Sequence, residues 1–315
     1  MEGGWASVSN AICDHHSLGE HGMDQHGLAA VKAWNAKPRH DYRHIAVKRI
    51  THTIGAEVGG VDLGAGVSDE QFAEIRTALH ENLVLVFRDQ HMTQEQHKAF
   101  GAKWGPLHSH PVYKAEGRAN PEIVAVHNDS NSLQAIGEGW HSDSSMEECP
   151  PMGAMLYMKQ MPEGGFGGDT HFANMYLAYD ALSEPMRNFL CGLTAIHDGA
   201  ELVRRYGFKE PEGGYPSTQH PLIVSHPETG RKLLYVNSGF TRRIPELSER
   251  ESQTLLEMLF RHIEANPMLV FRARWEENTM VFWDNRCTQH DAIWDYAPYT
   301  RSAERVTVLG NRPHA

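Results

Sequence analysis

Cysteine is scarce in this 315-residue chain: four occur (Cys13, Cys149, Cys191, Cys287), scattered and without a CxxC pair. That excludes a disulfide framework or a thiolate zinc site and suits a reducing cytoplasm. Long apolar runs are missing too. No stretch approaches ~18 uninterrupted apolar residues, and no basic region followed by an apolar run opens the chain. The sequence therefore reads as neither membrane-spanning nor exported by a visible signal. Positive charge is in deficit, with 29 Lys+Arg against 40 Asp+Glu and a formal net charge of −11. A nucleic-acid-binding surface is thereby disfavoured. There is no Walker or GxGxxG element and no internal repeat.

What remains is an ordinary globular composition, 40% apolar and 22% charged, in a chain long enough to fold without a staple. The length fits two domains or one large barrel or sandwich. Histidine is the exception: 21 are present, and histidine is both the commonest metal ligand and the side chain that titrates near neutrality.

Residues 1–43 are polar, Gly- and His-rich and without sustained period. They read as a flexible, non-catalytic extension, the irregular spacing of His15, His16, His21 and His26 arguing against a metal tract. From residue 44 to 315 the pattern is that of one globular domain. Strand-like runs appear at 83–89, 122–126, 153–159, 221–226, 232–237, 269–275, 280–285 and 305–310. Ser68 with Gln71 and Thr93 with Gln96 have the spacing of capping boxes, each opening a helix. Further helical stretches lie near 174–193 and at 248–265, where Leu255, Leu256, Leu259 and Ile263 form one stripe. Many short strands with Gly/Pro turns, and few helices alternating with them, predict a mainly β fold with flanking helices, a jelly roll rather than a doubly wound sheet.

Mononuclear iron sites that bind oxygen use two histidines and one carboxylate on one face of the metal. His-x-Asp in extended backbone supplies two of these, because residues i and i+2 point the same way. The motif alone is weak: 21 histidines among 40 acids should give about 2.7 His-x-(Asp/Glu) pairs by chance, and four occur. His262/Glu264 lies in the helical stripe, where i and i+2 diverge. His226/Glu228 reads as a surface turn. His127/Asp129 ends a strand and stays a second candidate. His141/Asp143, in GEGWHSDSSMEECPP, is favoured, with Trp140 placed to exclude water. His290, directly after an apolar strand, offers a third ligand. Arg301 and Arg305 follow. If 301–309 is extended, both face one way, about 13 Å apart at roughly 3.3 Å per residue. Two inward guanidinium groups beside a metal suit two anionic guests; the alternative is pairing with surface acids such as Glu304.

Together these segments, with GAEVGGVDL, HSHPVY, GGDT and HPLIVSHPETGRKLLYVNSGFTRRI, resemble the taurine dioxygenase/TfdA (TauD/TfdA) family of Fe(II)- and 2-oxoglutarate-dependent dioxygenases over about residues 44–313. The resemblance implies a double-stranded β-helix, the jelly roll, with His141, Asp143 and His290 as iron ligands. It implies that Arg301 and Thr170 grip the distal carboxylate of 2-oxoglutarate, and that Arg305, His110 and Tyr113 contact the primary substrate. The activity implied is hydroxylation of a small anionic organic compound (a sulfonate, sulfate ester or carboxylate) with O2, giving succinate and CO2, in a cytoplasmic homo-oligomer, dimer or tetramer. Gly137 and Leu202 stand where the taurine enzymes carry asparagine and serine, so a roomier, more apolar pocket is expected, with Met146, Leu202 and Phe240 in its lining. Two other readings use the same residues: a non-catalytic metal-binding jelly roll, and a metal-dependent hydrolase.

Overall fold

Seven strands build the larger sheet of this computed structural model, which describes residues 25–109, 119–135, 137–200 and 214–315. They are β1 (Ala46–Arg49), β2 (Ala56–Gly59), β3 (Val84–Phe87), β4 (Val124–Asn128), β5 (Gly153–Gln160), β13 (Met280–Asp284) and β15 (Arg301–Val308), in the order β1-β2-β3-β13-β5-β15-β4. All neighbours are antiparallel except β2 and β3. The central strands look uniformly apolar because both faces are covered. Val84, Val86, Ala154, Leu156, Val281 and Trp283 point into one core. Their alternates Leu85, Phe87, Met155, Tyr157, Met280 and Phe282 point into a second, as the period of two requires.

Against the first face lie three short sheets: β12 (Val270–Ala273), β6 (Thr170–Asn174) and β14 (Thr288–Ala292); β11 (Thr241–Arg243), β7 (Thr194–Asp198) and β8 (Ser217–Pro221); and β9 (Ile223–Ser225) with β10 (Lys232–Leu234). Two facing β layers around one core make the expected jelly roll. Helices α2 (Asp69–Asn82) and α3 (Gln94–Ala102) cover the other face of the large sheet, Ile75, Leu79 and Phe100 filling the second core. Both capping boxes, Ser68/Gln71 and Thr93/Gln96, are formed. The helical stretch near 174–193 is two helices, α4 (Met175–Asp180) and α5 (Glu184–Leu190). The stripe at 248–265 is α6 (Glu249–Glu264), which buries Leu256, Leu259 and Ile263.

One part of the N-terminal segment differs from the expectation of a flexible extension. Gln25–Asn35 is a helix, α1, whose buried residues are Gly27, Ala30 and Trp34. Two of these three carry almost no side chain, so no apolar stripe is visible in the sequence. Trp34 anchors the helix against Tyr176 of α4, ring centroids 6.3 Å apart. No helix among the described residues is long and apolar enough to cross a membrane.

Candidate functional site

The candidate metal ligands come together where two backbone segments form a single bridge. His141 N–H donates to the His290 carbonyl at 3.0 Å, and His290 N–H to that of His141 at 2.8 Å. The two imidazoles thus face each other, centroids 4.2 Å apart. Asp143, two residues on, turns the same way. Its backbone N–H donates to Asn285 Oδ1 at 2.7 Å and its carbonyl accepts from Asn285 Nδ2 at 3.0 Å, so one amide clamps the segment from both sides. Asp143 Oδ1 then lies 3.9 Å from His141 Nε2 and 4.0 Å from His290 Nε2. All three ligand atoms are within 4.8 Å of one another.

The surroundings fit a divalent cation. His141 Nδ1 donates to the Gly139 carbonyl at 2.7 Å, which fixes the tautomer and leaves the Nε2 lone pair free. Asp143 Oδ2 is buried with no hydrogen-bond partner, a costly state for a carboxylate oxygen that a cation would relieve. Burial drives the His290 imidazole down to about 3, aided by His141, so it stays neutral and able to ligate. Burial pushes the Asp143 carboxyl up, but Arg305, then His290 and His141, outweigh it and hold it below the usual carboxylate range. Two neutral imidazoles and one carboxylate are the donor set of a mononuclear non-haem iron site.

Both arginines reach the site from β15. Arg305 does not pair with Glu304: its NH1 donates to Asp143 Oδ1 at 3.0 Å, while Glu304 accepts from Gln94. Arg301 is 5% exposed, stacks over Trp275 at 5.4 Å, and has no carboxylate within ion-pair distance among the described residues. Burial lowers its pKa, Tyr296 and Asp169 opposing, yet a guanidinium stays charged. Trp275 Nε1 donates to Thr170 Oγ1 at 3.1 Å, leaving the threonine's own hydrogen to donate elsewhere. A buried cation beside a free hydroxyl suits the far carboxylate of a dicarboxylic acid. The GGDT glycines explain the access: Gly168 has φ +67°, and a Cβ there would stand 2.7 Å from Arg301 Cδ.

Phe240 lies edge-on to His141 with centroids 6.1 Å apart and so borders the site, whereas Trp140 stacks on His171 at 6.0 Å. Gly137, φ +91°, is placed so that a side chain would touch the His141 ring; its absence leaves room there. His110, Tyr113 and Leu202 lie outside the described residues.

The rival pairs fall elsewhere. His127 and Asp129 form a solvent-exposed pair at 3.9 Å. His262, inside α6, bonds the Ala178 carbonyl. His226 is not a surface residue: the turn after it is exposed, but its ring is buried and bonds Asp284 at 3.0 Å. With Cys287 these two form a second group of potential ligands. Arg286 already grips Asp284 through two contacts, 2.8 and 2.7 Å, so that carboxylate is neutralised without a metal.

Sequence reasoning missed three supports. Asn285 clamps Asp143; Asp291, adjacent to His290, accepts the Gly139 N–H at 2.8 Å; and Gly239 approaches so closely that a Cβ would stand 2.9 Å from that of His141. Asn285 and Asp291 flank His290 in WDNRCTQHDAIWDY and Gly239 lies in NSGF, but residue type alone does not reveal which atom each holds.

Comparison with known proteins gives a consistent outcome. The family described as "Taurine catabolism dioxygenase TauD, TfdA family" matches residues 46–307. An alpha-ketoglutarate-dependent sulfonate dioxygenase of Saccharomyces cerevisiae is 35% identical over 85% of this chain and 68% of its own length. An (S)-phenoxypropionate/alpha-ketoglutarate-dioxygenase of Sphingobium herbicidovorans is 34% identical over 77% of this chain and 88% of its own. The crystal structure of a taurine dioxygenase from Burkholderia xenovorans superimposes with a TM-score of 0.74 at 37% identity, covering 86% of this chain and 91% of that one.

Proposed function

The chain belongs to the TauD/TfdA family, and on that premise we propose that it is the Fe(II)- and 2-oxoglutarate-dependent dioxygenase of a small anionic organic substrate: a sulfonate, sulfate ester or carboxylate. The observation that supports this most is the convergence of His141, Asp143 and His290 from two distant stretches, their donor atoms within 4.8 Å of one another. In this reading the three hold iron. Iron with 2-oxoglutarate (alpha-ketoglutarate) and O2 supplies the oxidation that converts C–H to C–OH, with succinate and CO2 as co-products.

The chain's own residues place the reactants. Arg301 and Thr170 fix the distal carboxylate of 2-oxoglutarate. Arg305 leaves Asp143 for the anionic group of the primary substrate, with His110 and Tyr113 as further contacts. Trp140 and Phe240 exclude water, and the space beside Gly137 admits an apolar body larger than that of taurine. Hydroxylation of a carbon that bears a sulfonate, sulfate-ester or ether oxygen gives a product that releases this group as a carbonyl forms. The catalytic domain is taken as residues 44–315, working in the cytoplasm as a homo-oligomer, dimer or tetramer.

The test is a panel of alkylsulfonates, alkyl sulfates and aryloxyalkanoates, each scored for stimulated succinate release with Fe(II), ascorbate and 2-oxoglutarate. At least one class should raise the rate well above the uncoupled background. Absence of succinate under every condition leaves a non-catalytic binder, and anaerobic turnover without 2-oxoglutarate leaves a hydrolase.

A further inference from the structure

A second cationic site lies where α1 meets α2 and the turn between β9 and β10. Lys37 and Arg39, just beyond α1, and Arg231, in that turn, edge a cavity of about 250 Å³ whose floor includes His80 and Trp34. None of these residues belongs to the iron and 2-oxoglutarate site.

The three cations are held together by rings rather than acids. Arg231 is sandwiched, its Cζ 4.3 Å from the Trp34 centroid and 4.0 Å from that of Tyr176. Lys37 Nζ lies 4.8 Å and Arg39 Cζ 5.8 Å from the Trp34 ring. Among the described residues no carboxylate comes within 4.0 Å of any of the three, whereas their neighbours Arg76 and Arg286 both reach Glu228. The nearby acids do not complete the cluster. Glu81 lines the cavity and its carboxylate attracts Arg39, but its two oxygens are held by the His40 N–H and the Tyr42 hydroxyl, and its backbone carbonyl accepts from Arg39 at 2.7 Å. Asp180 acts on Lys37 and Arg231 only at longer range. Arg39 Nε is buried without a partner.

Like charges gathered at low dielectric repel one another. Burial first, and then Arg231 and Arg39 against the pull of Asp180, weaken the hold of Lys37 on its proton. The guanidinium of Arg231 is locked by stacking and that of Arg39 by its carbonyl bond, so donors are preorganised around a volume larger than one tetrahedral oxyanion. We propose that this cavity is a binding site for phosphate, as the free ion or as the head group of a small ester. Two fixed guanidinium groups and the Lys37 ammonium match its double charge and its several acceptor oxygens better than a single carboxylate.

Calorimetric titration of the full chain with inorganic phosphate tests the assignment. Saturable binding is expected in the wild type, weakened about tenfold or more by Lys37→Gln and by Arg39→Gln, and unchanged within about twofold by Arg301→Gln and Arg305→Gln. Lys37 is exposed and Arg39 half-buried, so these variants keep the test alive if Arg231→Gln, which removes the stacked guanidinium, fails to fold. Glycerol 3-phosphate binding about tenfold more tightly than phosphate assigns the site to an ester; equal affinity assigns it to the free ion. The proposal is overturned by no saturable uptake up to ~10 mM phosphate. It is equally overturned by binding that Arg305→Gln abolishes and Lys37→Gln leaves intact.

Discussion

Arg301 enters a space with little tolerance. Trp275 lies under its guanidinium, Gly168 passes 2.7 Å from Cδ at the position where a Cβ would stand, and its Nε is buried without a partner. Arg301→Ala should raise KM for 2-oxoglutarate by ~10- to 100-fold, the worth of charge-assisted bonds at ~1.5–3 kcal/mol, while KM for the primary substrate moves little. Steady-state kinetics with each reactant varied would catch the two arginines being interchanged, since the effects would then be reversed. Gly168→Ala combines a left-handed backbone, ~1–2 kcal/mol for an L side chain, with a clash on Arg301. It should lower Tm by a few degrees and raise KM for 2-oxoglutarate in the same direction. His141→Ala, Asp143→Ala and His290→Ala should each abolish succinate formation while circular dichroism stays native; full activity in any one removes it from the ligand set. The ligand pair was legible because an extended His-x-Asp puts both side chains on one face. His226 was misread because nothing local to its turn announces Asp284, 58 residues away.

At the scale of elements, the strands that carry chemistry were the hardest to see. β6 (THFAN) and β14 (TQHDA) pair antiparallel, His290 opposite Phe172, and both are rich in polar residues, among them Thr170 and His290. They therefore lack the apolar run that exposes β3, β5 and β13. β15 shows a strand-like run only from Arg305 onward, because its first half, Arg301–Glu304, is mostly polar. The segment leading to His141 is held in turn by Asp291, whose carboxylate accepts the Gly139 N–H, while Gly139 accepts from His141 Nδ1. Asp291→Ala should release this chain of bonds and weaken divalent-metal affinity ~10- to 100-fold, as removal of an orienting group does. Asp291→Asn keeps an acceptor oxygen and should stay within a few-fold of wild type. Titration with Mn(II), read by electron paramagnetic resonance, separates the two; equal affinities in wild type and alanine variant would leave Asp291 without a positioning role.

For the molecule as a whole, the β layers and the helices that cover the large sheet bury imidazoles where no charge is tolerated, and this sets how stability responds to acid. His97, beneath the large sheet, and His197, behind the Asp143 turn, are both fully buried. Burial pushes their pKa values down to about 4 and about 3, from an ordinary value near 6.5 in the unfolded chain. The folded-state values are depressed, so below pH ~6.5 the unfolded chain takes up protons that the folded chain refuses, and stability falls with pH. At pH 5 each histidine contributes a loss of about 2 kcal/mol relative to pH 7.5, or about 4 kcal/mol together. His220 shifts the same way; Glu147 and Asp180, raised by burial, work in the opposite sense. Asp284 and Glu228, held low by Arg286 and His80 among others, lose their contribution only below the unfolded carboxylate value near ~4, outside this window. Urea unfolding of the metal-free protein, in which His290 is likewise driven down to about 3 by burial, should therefore give a clearly lower midpoint at pH 5.0 than at pH 7.5, with the difference reduced by roughly a third in His97→Gln. An unchanged midpoint in the wild type would mean that the unfolded chain gains no protons on these rings, and that burial of the imidazoles does not govern the acid limb.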